Sequence, residues 1–205
     1  MKKLFLIFIL IPIYSYSQIT LDTLTNNTVY SKIHEIQKSK KELHQKAIEW
    51  IAINFKDANE VVKLNTEDKI IAKGNFSVDF STNGYSTTYP VKFIMEIAFK
   101  EQKYKLDMNS FIIAVKDMDI TLAHHMNILN YDEFVDIYRK SKADATYKYE
   151  VRYYDKILND PEKLNELFIV QKSGSYQFIN NSNNKVRALD KDLYNYLSSE
   201  KENEW

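Results

Sequence analysis

The chain has 205 residues, with 28 Lys and Arg against 28 Asp and Glu, three Gly, three Pro and no Cys. Without cysteine there is no disulfide, thiolate nucleophile, thiolate zinc site or lipid-anchoring thiol. The isolated Gly74, Gly84 and Gly174 cannot form a P-loop or a GxGxxG fingerprint, and the balanced charge gives no electrostatic reason for a nucleic-acid partner.

Residues 1–17 read as a signal peptide. Lys2 and Lys3 form a basic start, Leu4 to Tyr14 an apolar run, and Ser15 and Ser17 supply the small −3 and −1 side chains of a cleavage site before Gln18. The run is too short to cross a bilayer, which takes about 20 apolar residues. Removing it also removes two lysines, leaving the mature chain slightly acidic. The expectation is an exported protein of the periplasm or cell envelope, with no lipid anchor and no membrane span after cleavage.

Next in the chain, Thr28 to Ile36 reads as a strand, with Val29, Ser31 and Ile33 on one alternating face. Ser39-Lys40-Lys41-Glu42 is a capping box, in which hydroxyl and carboxylate each satisfy the other residue's free amide. Leu43, Ala47, Trp50, Ile51 and Phe55 then recur at helical spacing, predicting one amphipathic helix from Lys40 to Phe55. Past it the period falls to two. Val61 to Leu64 and Ile70 to Phe80 are strand candidates. The strongest follows, with Val91, Phe93, Met95, Ile97 and Phe99 alternating on one face. Tyr104, Leu106 and Met108 continue the pattern, and Phe111, Ile113 and Val115 resume it out of phase, which predicts a bulge at Asn109-Ser110. Asn83-Gly84 and Glu101-Gln102-Lys103 are the turns. The expected class is α+β: one helix covering one face of three or four antiparallel strands that follow it.

From about Ala123 the spacing turns helical. Tyr131 to Lys142 is read as a helix. Ala143 to Leu158 fits either a helix, through Tyr147, Val151, Tyr154 and Leu158, or a strand, through Tyr147, Tyr149, Val151 and Tyr153, and its length favours the helix. Asp160-Pro161-Glu162 opens another, with Asp as N-cap and Pro in the first turn. Gly174 and the run Asn180 to Asn184 are expected as loops before a last helix over Asp190 to Lys201. The expected division is 1–17 signal peptide, 18–122 α+β domain and 123–205 helical C-terminal extension.

Several of these segments also resemble a known family. Ser39 to Leu43, Ala47 to Ile51, Asn54-Phe55, Lys69 to Asn75 and Phe99 to Lys105 are similar to domain of unknown function 4468, over roughly residues 28–115. That family comprises exported bacterial proteins with a TBP-like fold, a helix against a curved antiparallel sheet. The resemblance implies this fold here and assigns no activity, ligand or catalytic residue. Gln102 departs from the small or Gly-like residue usual in that turn, which bears on turn type alone. The fold label does not bring DNA with it: residues 130–205 hold 12 basic against 14 acidic groups.

Chemistry is sparse. His124-His125, with Asp117 or Asp119 nearby, are the candidates for a hydrolase or metal-dependent site between the sheet and the C-terminal helices. Adjacent histidines diverge on any regular backbone, however, and rarely share one metal. Asp117/Asp119 and Asp190/Asp192 are DxD pairs able to hold a hard cation, though such pairs commonly cap turns and helices. Ser173-Gly174-Ser175 lacks the glycines of a nucleophile elbow. Asp132-Glu133 complement a helix start. Nine of the fifteen tyrosines lie between Tyr131 and Tyr196. Tyr147, Tyr149 and Tyr153, interleaved with Arg152, form a candidate binding surface for stacking ligands. The reading that follows is a non-enzymatic binding or assembly module without cofactor, its partner an envelope protein, peptide or glycan.

Overall fold

The computed structural model describes residues 17–55, 58–82, 85–115 and 118–200. Its centre is a seven-stranded antiparallel sheet: β1 (Thr20–Asp22), β2 (Asn27–Glu35), β3 (Val62–Asn65), β4 (Lys69–Thr82), β5 (Tyr85–Lys100), β6 (Lys103–Val115) and β7 (Met118–Thr121). The order is β1-β2-β6-β5-β4-β3, with β7 paired to the far end of β6. Six helices accompany it: α1 (Lys40–Asn54), α2 (Ala58–Val61), α3 (Leu122–Asn127), α4 (Tyr131–Asp144), α5 (Lys148–Leu158) and α6 (Pro161–Ser198). The class is α+β as expected, but five strands follow α1 rather than three or four.

Where the sequence carries a local rule, the backbone obeys it. The Ser39 amide donates to Glu42 Oε2 at 2.9 Å and the Glu42 amide to Ser39 Oγ at 3.3 Å, closing the capping box at the start of α1. Leu43, Ala47, Trp50 and Ile51 of α1 face the buried row Val91, Phe93, Met95, Ile97 and Phe99 of β5 in one core. The phase change in β6 is a bulge: Ser110 takes φ 56°, and the pairing with β5 slips between Lys92 and Ile94. Gln102 takes φ 59° in its turn, the conformation for which glycine is the usual choice. At Gly74 the absent side chain matters. A Cβ there would stand 2.5 Å from Phe93 Cζ and 2.8 Å from Phe55 Cε1, so glycine lets both rings lie over β4. The expected Asn83-Gly84 turn and the segment read as a signal peptide, apart from its last residue, lie outside the described residues.

Two points go beyond or against the expectations. First, the face of β2 that carries Val29, Ser31 and Ile33 is not the buried one; Thr28, Tyr30 and His34 are buried, and Ile33 is 63% exposed. Register imposes this, because Tyr30 and His34 pair with Met108 and Tyr104, which belong to the buried face of β6. Secondly, Gly174 and Asn180 to Asn184 are not loops, and no separate helix begins at Asp190. All belong to α6, 38 residues without a break. Tertiary contacts outweigh the weak local propensity: Ile179, Ser182 and Val186 are buried, Asn181 Nδ2 donates to Asp79 O at 2.7 Å, and Asn183 Oδ1 accepts from the Ile19 amide at 2.7 Å.

Helix α6 serves two cores. Its first turns pack with α4 and α5 around Phe134, Tyr138, Ile157 and Leu164. Its second half places Phe178, Ile179, Val186, Leu193 and Leu197 in the core that α1 shares with the sheet. α1 is therefore not alone on that face.

Candidate functional site

Between the two cores the middle of α6 is left uncovered, and a groove of about 940 Å3 opens there. Its floor is α6, where Ile169, Ser173, Tyr176 and Asn180 follow one another at helical spacing. His124, His125 and Ile128 wall it on the α3 side, Phe80 and Ser81 on the side where β4 ends. Three of the floor side chains stand open to solvent: Ile169 at 58%, Val170 at 67% and Tyr176 at 57% exposed. Gly174 allows the close approach at the β4 wall, since a Cβ there would meet the Phe80 ring at 3.3 Å.

The structure thus brings both histidines into one concave site. Their rings meet edge to face, 5.7 Å between centroids. His125 is fully engaged: Nδ1 is 3.0 Å from Ser175 Oγ, and the ring stacks on Phe178 at 4.8 Å, with Phe80 stacked on Phe178 in turn. Burial, with His124 beside it, pushes the His125 pKa down to about 4, and burial lowers that of His124. Asp119 lies outside the groove lining and forms an ion pair with Lys92 at 3.6 Å, while Asp117 is outside the described residues. Among the described residues no group of three or more His, Asp and Glu comes close enough to hold a metal ion.

The depressed value has a measurable consequence. A neutral-only histidine contributes stability fully present above the unfolded pKa of about 6.5 and lost as pH falls toward about 4. Moving from pH 7.5 to 4.5 is expected to cost about 2 kcal/mol through His125. In His125→Gln, which keeps a partner for Ser175 and does not titrate, this share of the loss disappears. Urea midpoints of the two proteins at both pH values check it.

The tyrosines of α5 stand elsewhere. Tyr147, Tyr149 and Tyr153 are 59%, 68% and 53% exposed, and Arg152 is exposed with them on the outer side of the helix. Tyr147 and Tyr149 stack on each other, 5.5 Å between centroids. They form an exposed aromatic surface and line no part of the groove.

A second polar cluster was not legible as a unit. Asp190, 2% exposed on α6, accepts from His34 Nε2 at 2.6 Å and from Lys32 Nζ at 2.8 Å, both on β2. Burial alone would raise the Asp190 pKa; the hydrogen bonds from His34 and Lys32 outweigh it and hold the carboxyl below its ordinary value. His34 lies between the rings of Tyr104 and Tyr194. Asp192 turns the other way and accepts from Trp50 Nε1 at 2.7 Å, so the DxD pair diverges and neither acid is left for a cation. Further along, α6 has no basic residue in its own last turn. Lys46 from α1 donates to Ser199 O at 2.8 Å, and Lys38 donates to Leu197 O at 2.7 Å and to Ser199 O. Two cations from elsewhere in the fold thus meet the negative end of the helix dipole. The signal for Asp190 was an acid at a helical position otherwise flanked by the core residues Val186 and Leu193.

The strands that carry the family resemblance are β2 to β6, together with α1. Residues 30–113 match the family model described as domain of unknown function (DUF4468) with TBP-like fold. That stretch builds most of β2, β3 to β6 and α1 and leaves β1 and β7 outside, whereas the groove draws its floor and its α3 wall from beyond it. A TBP-like protein from Parabacteroides distasonis is similar at a TM-score of 0.52 and 13% identity, covering 86% of this chain and 96% of its own. That likeness places the chain in the TBP-like α+β fold. A DUF4468 family protein from Bacteroides ovatus aligns at a TM-score of 0.42 and 13% identity over 48% of this chain, which spans 62% of that protein's length. No curated protein matches the chain. Among the described residues no helix is long and apolar enough to cross a membrane.

Proposed function

We propose that this chain, exported and cut before Gln18, is a non-enzymatic binding module of the cell envelope whose ligand sits in the groove on α6. The observation that carries this reading is the way His125 is held. Its ring is wedged between Phe178 and His124, its Nδ1 is committed to Ser175, and a pKa of about 4 makes it a poor proton acceptor at neutral pH. Ser175, the hydroxyl hydrogen-bonded to it, is 3% exposed inside a helix, where no substrate carbonyl can approach. Such a pair stiffens a wall rather than performing acid–base chemistry. The open apolar side chains Ile169, Val170 and Tyr176 supply contact area.

Filling the groove tests this. The mature chain, its Ser173→Trp variant and a Tyr149→Ala/Tyr153→Ala variant are immobilised and exposed to fractionated envelope extract, with retained protein, peptide and glycan measured separately. Retention is expected to fall at least tenfold for Ser173→Trp and to be unchanged for the α5 pair. Retention that survives Ser173→Trp and is lost with the tyrosines would transfer the binding role to α5. In the same extracts the native protein is expected to begin at Gln18 by mass spectrometry; an intact Met1 overturns export.

A further inference from the structure

The lining of the groove points to one ligand chemistry, taking the groove as a binding site in the sense just given. Among the described residues, none that lines it is Asp, Glu, Lys or Arg, in a chain of which 27% is charged. The two histidines on its wall have lowered pKa values and are neutral at pH 7. An ionised ligand would shed water there and meet no counter-charge, a loss that nothing offsets. An uncharged one incurs no such loss.

The polar groups that remain are hydroxyls and amides. Ser173, Tyr176 and Asn180 are exposed along the floor. Ile169 and Val170 lie one turn before Ser173, and the Tyr176 ring lies between Ser173 and Asn180, so that apolar surface adjoins neutral donor–acceptors along the floor. A pyranose ring has this duality, an apolar C–H face edged by hydroxyls, and an aromatic ring such as Tyr176 meets the former while Ser173 and Asn180 meet the latter.

Peptides fit less well. An extended peptide binds by adding to a free strand edge; the strand reaching the groove does so at Ser81, whose amide already donates to Gln177 Oε1 at 3.2 Å. A docking helix needs an unbroken apolar track, and Ser173 and Asn180 interrupt this one. We infer that the groove binds an uncharged oligosaccharide.

The test places the labelled mature chain on an array of neutral and charged oligosaccharides, beside an array of uncharged acetylated peptide amides. Ser173→Trp and Tyr176→Ala are run in parallel, both at exposed positions and both checked for an unchanged urea midpoint. Signal is expected on neutral oligosaccharides, reduced at least tenfold by either substitution and unaltered by Tyr149→Ala. Signal confined to charged sugars overturns the inference. So does binding to peptides alone: if Ser173→Trp abolishes it, the binding module stands and the sugar does not. Silence on both arrays removes both readings.

Discussion

A chain ending at residue 122 is expected to lack a cooperative fold, although it would contain the whole sheet and α1. Ending there removes Phe178, Ile179, Val186, Leu193 and Leu197, all buried in the core that β4, β5 and α1 also line. At about 1.5–3 kcal/mol for each buried side chain, the loss is on the order of 10 kcal/mol. That equals the whole net stability of an ordinary domain, about 5–15 kcal/mol. Polar losses add to it. Trp50 is left without the Asp192 acceptor, and Lys46 and Lys38 are left without the carbonyls at the end of α6. Far-UV circular dichroism and urea titration of chains 18–122 and 18–200 decide the matter. A sharp urea transition in the shorter chain would show that α6 is an addition to an independent domain.

Asp190→Ala is the single substitution expected to cost most, about 3 kcal/mol. Breaking a buried ion pair from one side leaves the other side desolvated, typically at about 3–5 kcal/mol. Lys32 is 38% exposed and relieves part of this by turning to water, whereas His34 at 9% has no such exit. Asp190→Asn keeps an acceptor for His34 and is expected to lose less than half as much. The pH dependence is separable from that of His125. A carboxyl held below its ordinary pKa contributes stability that is complete above about 3.8 and is lost as pH falls through the lower folded value. Between pH 7.5 and 4.5 the Asp190 carboxyl itself stays ionised, so its own titration adds nothing to the pH dependence in the window where the share due to His125 declines. A loss under 1 kcal/mol in urea titration would mean the cluster is dispensable.

What could be read from the sequence was what neighbouring residues decide among themselves. Ser39 and Glu42 are three apart, so their reciprocal bonds follow from the sequence alone, and the out-of-phase Phe111 announced the bulge at Ser110 without any partner strand. Which face of β2 turns inward was not legible, because Lys32 and His34 on that face are drawn in by Asp190, more than 150 residues later. Gly174 and the asparagine run carry ordinary loop chemistry, and only Asp79, Ile19 and the Phe80 ring make a helix of them. The groove was half legible. His124 and His125 stood out at once, but their acidic partners did not come to them, and Ser175 and Phe178 came instead, from α6.

The bond from the Ile19 amide to Asn183 spans 164 positions and the bond from His34 to Asp190 spans 156. The first strands thus wait for the last described helix before they can close. During synthesis the nascent chain has no complete core until most of α6 has left the ribosome, and contacts so distant slow the final collapse as well. Under the export proposed above, a translocation channel that accepts only unfolded polypeptide gains time from such a topology.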